Sequence, residues 1–312
     1  MPANPKPKVT IIGTGNVGST LAALLFEAGY KVVSVIGLDG KSALSLAKFV
    51  KCQKVSTSLA DIAPESEIII ISIPDGSVAQ VAKQIASSTH LRLKKLLVLH
   101  TSGVHSAEIL KPLAKKGALT GSIHPVQTFP SHRTLTQRKN STKEIFYGID
   151  GEPKTLQRIE QILRDINGKP LVIDAALRPL YHLACVFSSG YLMVLLNAIH
   201  EIALHVNLKG SWTEVFGPLM TTSMQNTIRN GVKNALTGPI IRKDLSTISV
   251  HLESLRENAP QFLPLYMAAG IETARLARSG DKLSDEDYSE IIDMFRSFMK
   301  TISSTTSLKV KR

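Results

Sequence analysis

Glycines stand at Gly13, Gly15 and Gly18, directly after the apolar run Lys8-Val-Thr-Ile-Ile12. At that spacing each glycine answers a different geometric need. The first allows a tight turn out of a strand, and the second lets a pyrophosphate approach bare main chain. The third lets the next helix pack close to the sheet. The free amides at the start of that helix then face an anion. The chemistry implied is dinucleotide binding, with Gly13, Thr14, Gly15, Asn16, Val17 and Gly18 as the contacting segment. A lone glycine fingerprint is weak; a strand before it and a helix after it make it specific. Val17, Leu21, Leu24 and Leu25 recur at helical spacing, Gly29 ends that helix, and Lys31-Val-Val-Ser-Val-Ile36 reads as a second strand.

Asp39 follows the second strand, about twenty residues beyond Gly18, where an acid accepts hydrogen bonds from the ribose hydroxyls. Lys41 and Ser42 beside it are suited to a 2′-phosphate, so NAD and NADP both stay open. Asp39-Gly40 is also good turn chemistry by itself. Ser72-Ile-Pro-Asp75 ends a third strand. Strand ends on this edge of an open α/β sheet line the ligand crevice, which puts Pro74 and Asp75 on the nicotinamide side. Asp75 also reads as a helix N-cap.

His100-Thr-Ser-Gly103 and Ser122-Ile-His-Pro-Val-Gln-Thr-Phe129 end the next two strands. Hydroxyl, imidazole and amide groups gathered there are the makings of a substrate pocket, with Ser102, His124 and Gln127 as candidate binders. A long helix then brings His182, Ser188, Ser189 and Asn197. His182 can exchange a proton near neutral pH, and an interfacial histidine is its ordinary alternative. His182, Ser102 and His124 are thus the catalytic candidates. Arg242, on a loop around Gly238-Pro239, is a further candidate for holding an anionic group.

These residues need a sheet to hold them. Strands are expected at 8–13, 31–36, 67–73, 95–100, 118–124, 145–149 and 169–173. Helices fit at 16–28, 41–51, 76–88, 105–116 and 153–167. Such alternation implies a doubly wound parallel sheet of the Rossmann type, covered on both faces. Residues 130–144 are polar and read as a mobile loop. Past about residue 175 strand signals fade. Residues 176–206 carry a broad apolar stripe, and helices are expected at 212–231, 244–257, 264–279 and 284–302. The expected division is a dinucleotide-binding domain at 1–174 and an all-helical domain for substrate and dimerisation at 175–312.

Composition narrows the function classes. The chain has 312 residues, 43% hydrophobic and 20% charged, as expected of a globular enzyme. Its net charge of +12 is scattered and lacks a recognition motif. No nucleic-acid partner is therefore expected. No contiguous apolar run reaches bilayer length, so no membrane segment is expected. Residues 1–8 lack a signal-peptide core and read as a short disordered lead; residues 308–312 read as a frayed basic tail. Cys52 and Cys185 match no metal or redox spacing, so no metal site and a reducing cytoplasm are expected.

The chain resembles a family that pairs a Rossmann-like N-terminal domain with a helical C-terminal domain of unknown function. The resemblance rests on Gly13-Thr-Gly-Asn-Val-Gly18, Ile73-Pro-Asp75, His100-Thr-Ser-Gly103, Ser122-Ile-His-Pro-Val-Gln-Thr-Phe129, Tyr181-His-Leu-Ala-Cys-Val-Phe-Ser-Ser189, and Leu236-Thr-Gly-Pro-Ile-Ile-Arg242 with His251-Leu. The wider superfamily includes pyrroline-5-carboxylate reductase, the β-hydroxyacid dehydrogenases and 6-phosphogluconate dehydrogenase. The resemblance implies an NAD(P)-dependent oxidoreductase, with a helical domain that dimerises and closes the active site. Hydride would pass between a nicotinamide and a small carbonyl, an imine, or the matching alcohol or amine. There are departures. Gly37-Leu38-Asp39 replaces the Ser-Arg-Ser that suits NADP, Gly190 replaces an asparagine, and Lys243 replaces a glycine. The long helix lacks the lysine of the β-hydroxyacid dehydrogenases. The alternative that the missing lysine and Gly190 support is a non-catalytic NAD(P)-binding sensor or regulatory protein.

Overall fold

The computed structural model describes residues 5–309; residues 1–4 of the expected lead and residues 310–312 of the expected tail lie outside them. The chain divides into two compact units, one ending at Gly190 and one beginning at Tyr191.

The first unit alternates strand and helix: β1 (Lys8–Ile12), α1 (Asn16–Glu27), β2 (Lys31–Ile36), α2 (Gly40–Phe49), β3 (Val55–Ser56), β4 (Ile68–Ile71), α3 (Asp75–Ala86), β5 (Leu97–His100), α4 (Lys111–Ala114), β6 (Leu119–Pro125), α5 (Leu135–Asn140), β7 (Phe146–Gly151), α6 (Pro153–Asp165), β8 (Lys169–Val172) and α7 (Arg178–Val186). The strands form one sheet in the order β3-β2-β1-β4-β5-β6-β7-β8. β4 shows why helices cover both faces. Its four isoleucines are fully buried, and the alternation of a strand sends them opposite ways. Ile68 and Ile70 join Val9, Ile11, Leu21 and Leu25, whereas Ile69 and Ile71 join Ile12, Val78 and Ile85.

The sheet departs from the expected all-parallel form at β7, which runs antiparallel to β6. The chain leaves β6 at Pro125 and returns beside it without a crossover helix. β3 was not expected; two residues give no readable period. The single helix expected over 105–116 is a 3₁₀ turn, Ala107–Leu110, capped by Ser106 and followed by α4. The mobile loop expected over 130–144 contains α5. A capping box between Thr134 and Gln137 starts it. Arg138 is buried with Nη2 donating to Ser19 Oγ at 3.4 Å, and Lys139 pairs with Glu27. Polar residues dock this helix on α1, so a hydrophobic reading passes over it.

The expected boundary near Asp174 marks where strands give way to helices. The first compact unit continues to Gly190 because side chains of α7 pack onto the sheet. The second unit holds α8 (Leu192–Leu204), α9 (Trp212–Asn230), α10 (Val232–Ala235), α11 (Leu245–Asn258), α12 (Leu263–Arg278) and α13 (Asp285–Lys309). Ile248, Leu252, Met267, Ala274, Ile291 and Phe295 form its core. No residue of α9 is buried, and Val215, Leu219, Met224 and Ile228 stand exposed on it.

One helix bears on the expectation that no apolar run reaches bilayer length. The helical run Ala175–Leu204 is long and apolar enough to cross a membrane by length and composition, with a window of mean hydropathy 1.6. Isolated polar residues break it into short apolar stretches, which hid its high average. At its start Arg178 is buried against Asp150 of β7, which ties that end to protein.

Candidate functional site

β1 lies between β2 and β4, so the connections from β1 and β4 leave the sheet in opposite directions. A crevice opens at the carboxyl ends of strands at such a point. Here it is a cleft of about 1270 Å³, lined by the glycine turn, Gly37–Asp39, Thr57–Ala60, Ser72–Pro74, Thr101 and Phe129. The three glycines meet it differently. Gly13 has φ of +98°, and a Cβ there would land on the Ser72 carbonyl. A Cβ on Gly18 would strike the Gly13 carbonyl, so α1 packs against the turn only without one. Around Gly15 a Cβ would meet nothing within 4 Å, because that face is open to the cleft.

The flanking residues are committed in other ways. Thr14 rests over Gly37, where a Cβ would come within 2.7 Å of its hydroxyl. Asn16 donates Nδ2 to the Phe129 carbonyl at 2.8 Å, holding the segment after β6 at the cleft. Val17 lines the cleft and packs on the core. Asp39 lines the cleft and caps α2, accepting from the amides of Lys41 and Ser42 at 3.2 Å each and from the Ser42 hydroxyl. The Ser42 hydroxyl and these amides hold its carboxyl below the usual aspartate range. Pro74 lines the cleft and is itself the N-cap of α3. This corrects the expected cap: Asp75 sits inside the first turn with its side chain exposed, and proline supplies the entry angle.

A second group of side chains gathers at the ends of β5, β6 and β7. His124 Nδ1 and Tyr181 Oη share a hydrogen bond of 2.7 Å. The His182 ring meets the His124 ring edge-on, centroids 5.9 Å apart. Two glycines make room for them. A Cβ on Gly103 would lie 2.5 Å from His182 Cδ2 and 2.9 Å from His124 Nε2, and one on Gly148 would land on the Tyr181 hydroxyl. Thr101, two residues before Gly103 at the same exit from β5, lines the cleft.

Beneath it lies a buried ion pair. Arg178 is fully buried, with Nη1 at 3.5 Å from Asp150 Oδ1 and Nη2 donating to the Ser102 carbonyl at 2.9 Å. Asp150 also accepts from Ser122 Oγ and, at 2.7 Å, from the Ala107 amide. Arg178 lies over the Tyr181 ring, 5.6 Å from its centroid. Burial, with the Arg178 charge next, pushes His124 down to about 4. Burial pushes His100 to about 4 as well, and pushes the Tyr181 hydroxyl above its ordinary range. At neutral pH the site therefore presents a neutral imidazole bonded to a protonated phenol. Such a pair can hold and pass a proton without carrying a net charge.

Of the expected site residues, the structure brings His124 and His182 together. Ser102 is buried, with its carbonyl accepting from Arg178 and its Oγ accepting from the His105 amide at 3.2 Å. Gln127 is exposed and bonds within its own loop, to the Ser141 carbonyl and the Thr128 amide. Ser188 and Ser189 lie in a π-helical turn at Phe187–Tyr191 and donate back to the carbonyls of Ala184 and Cys185.

Comparison with known proteins gives the same two parts. Residues 3–125 match the model of a Rossmann-like domain, and residues 145–273 match that of a domain of unknown function, DUF2520. The chain joins a Rossmann-like domain to a DUF2520 domain. No curated protein matches it in sequence. Among solved structures it is similar to a candidate NADP oxidoreductase from Bacteroides fragilis, 25% identical with TM-score 0.72, covering 86% of this chain and 98% of that one. A Thermotoga maritima protein is 24% identical with TM-score 0.65, covering 87% and 98%. A reductive aminase from Aspergillus terreus in complex with NADPH and ethyl-5-oxohexanoate is 21% identical with TM-score 0.62, covering 93% and 99%.

Within this Rossmann-like and DUF2520 chain, sequence reasoning passed over Tyr181, Arg178 and Asp150. A signal for two of them was present. Arg178, Tyr181 and His182 stand at i, i+3 and i+4, one face of a helix otherwise apolar. Asp150 carries no such signal, since an acid at a strand end reads as a turn residue.

Proposed function

We propose that the chain is an NAD(P)-dependent oxidoreductase acting on a small carbonyl or imine, or on the corresponding alcohol or amine. The observation that carries this reading is the contrast among the three glycines. Two are closed by packing, and the one where a pyrophosphate would approach faces an open cleft at the N-terminus of α1. Gly13 to Gly18 would hold the pyrophosphate, Asp39 the ribose, and Pro74 and Asp75 would flank the nicotinamide end. Bound there, the nicotinamide supplies or accepts the hydride. The chain's own residues orient it and supply the proton. His124, with Tyr181 bonded at Nδ1, and His182 beside it are the proton-handling groups; Ser102 positions Arg178 through its carbonyl. The likeness to the Bacteroides fragilis and Aspergillus terreus structures supports the same class.

Calorimetry with NADH and NADPH tests the first step. The wild type is expected to bind at least one of them, and Gly15→Val to lose affinity at least about a hundredfold (about 2.7 kcal/mol) while keeping its fold. Unchanged affinity in the folded variant refutes the assignment. Oxidation of the reduced cofactor with a panel of keto acids and cyclic imines tests turnover. Binding without oxidation across the panel points to the sensor reading, which the lack of a lysine in the long helix favours.

The same reading includes a homodimer formed through the helical unit. Exposed Met193, Val194, Leu195 and Leu219 on α8 and α9 support it, since faces so apolar need cover. Light scattering is expected to give twice the chain mass, and a monomer at all concentrations counts against it. A reducing cytoplasmic setting fits the two free cysteines.

A further inference from the structure

Resting on the cofactor reading above, we infer that the site reduces a neutral carbonyl rather than an iminium, and that Tyr181 and His124 relay the proton to the carbonyl oxygen. The bond between Tyr181 Oη and His124 Nδ1, 2.7 Å long, is the first observation. A neutral imidazole has one nitrogen that donates and one that accepts. The Cys185 thiol also meets Oη, but sulfur is a weak acceptor. The phenol therefore donates to Nδ1, and the imidazole hydrogen sits on Nε2. That nitrogen is the free edge of the ring. No described residue bonds it, and it faces Gly103, where a Cβ would stand 2.9 Å away. The missing side chain leaves room for a substrate oxygen in front of Nε2.

Charge decides the substrate class. Burial first, and the Arg178 charge next, hold His124 at about 4, while Asp75 pulls the other way more weakly. Asp150, the acid of the ion pair, is taken up by Arg178, Ser122 and the Ala107 amide. An iminium here would meet a buried cation and no free carboxylate among the described residues of the group. It would also need no proton, since hydride alone turns it into an amine. A carbonyl is neutral and needs one. Hydride from the nicotinamide bonds to its carbon, and the π pair moves to oxygen. The oxygen takes the hydrogen of Nε2, and Nδ1 takes that of Oη, so the imidazole ends neutral. The negative charge ends on the Tyr181 phenolate, with the Arg178 guanidinium 5.6 Å from the ring centroid. Solvent then restores the phenol. The likeness to a reductive aminase is one of fold, and this charge is where the substrate would part from it.

Nitrogen-15 NMR of the full chain reads the relay without turnover, with His124→Gln assigning the resonances. At neutral pH His124 is expected as one neutral tautomer with its hydrogen on Nε2, and Tyr181→Phe is expected to mix the tautomers. A charged ring, or hydrogen on Nδ1 in the wild type, overturns the relay. Stopped-flow oxidation of bound NADH or NADPH reads the substrate class. Aldehydes, ketones and keto acids are compared with 2-methyl-1-pyrroline, a cyclic imine. The best carbonyl is expected to react at least about a hundredfold faster than the imine. In mixtures of light and heavy water the wild-type rate is expected to bow, as for two protons in motion, and that of Tyr181→Phe to fall on a line. A purely structural Tyr181 would lower the rate and leave that shape unchanged. Imine reduction as fast as that of the best carbonyl overturns the proposal while the oxidoreductase reading stands. Cofactor that binds but is oxidised by neither class overturns it in favour of the sensor. A chain that binds neither dinucleotide overturns the cofactor reading, and this proposal falls with it.

Discussion

The glycine turn at the end of β1 and the polar group at the ends of β5, β6 and β7 are built on opposite plans. The turn works through side chains that are missing: Gly13 and Gly18 let backbone meet backbone, and Gly15 leaves the cleft open. The polar group works through side chains that are present and paired with one another. Asp150, Arg178, the Ser102 carbonyl, Tyr181 and His124 each depend on the next. A site made of absent side chains tolerates no addition. A site made of paired ones tolerates no subtraction.

That contrast predicts opposite responses. Arg178→Ala leaves Asp150 buried without its charge partner, which costs about 3–5 kcal/mol. Urea denaturation is expected to show that loss, while dinucleotide affinity of the folded protein stays within threefold. Gly18→Val is its counterpart in the turn. It forces a side chain into the Gly13 carbonyl and is expected to cost about 3 kcal/mol. Gly15→Val, one turn of chain away, is expected to leave stability within about 1 kcal/mol, since its surroundings are open. If Gly15→Val destabilises as much as Gly18→Val, the division of labour among the glycines is wrong.

How far each region could be read from sequence follows from the same difference. The turn occupies eleven consecutive residues from Lys8 to Gly18, so strand, glycines and helix all sit within one reading window. The strands around it were legible for a similar reason, because Ile68–Ile71 carries burial on both faces in four letters. The polar group draws on residues 100–103, 122–124, 148–150 and 178–182. Only the antiparallel return of β7 brings Asp150 beside Ser122. No local pattern encodes that pairing. His124 and His182 stood out by residue type, and Tyr181 did not, since a tyrosine near a helix start usually reads as packing. The helix α5 was missed because its ties to α1 are a guanidinium and an ammonium.

The polar group's function can be separated from its structural role by milder changes. Tyr181→Phe removes the hydroxyl that bonds His124 and keeps the ring over which Arg178 lies. With any substrate that turns over, it is expected to lower turnover about tenfold, and His124→Ala about a hundredfold or more. Cofactor affinity is expected to stay within threefold in both. A loss of cofactor binding equal to the loss of turnover would show that the group builds the cleft rather than serving it.

Acid provides a third probe. His100 and His124 stand at about 4 in the folded chain, chiefly through burial, against an ordinary value of about 6.5. Between those values the unfolded chain binds protons that the folded chain refuses. Stability therefore rises with pH across that window and is lost on acidification from about 6.5 to about 4, by at most about 1.4 kcal/mol per pH unit for each group. Melting temperatures across pH 4–7 are expected to show this slope, and His124→Gln to flatten part of it. Neither His100 nor His124 is among the residues lining the cleft, so His124→Gln should flatten the stability curve without changing how cofactor affinity depends on pH.

The smallest effect concerns α5, which reaches the turn from outside. Its capping box joins Thr134 Oγ1 to the Gln137 amide at 3.3 Å and Gln137 Oε1 to the Thr134 amide at 2.9 Å. Thr134→Ala removes the first bond and is expected to cost about 1 kcal/mol. Asn16 holds the same segment from the other side, through the Phe129 carbonyl. If the segment is an integral wall of the cleft, Thr134→Ala should raise amide exchange over 129–142 and weaken the dinucleotide by about two- to fivefold. If it is only a connection between β6 and β7, exchange will rise and affinity will not move. The second result would confine the cleft to the glycine turn and the strand ends, with α5 as a support for α1.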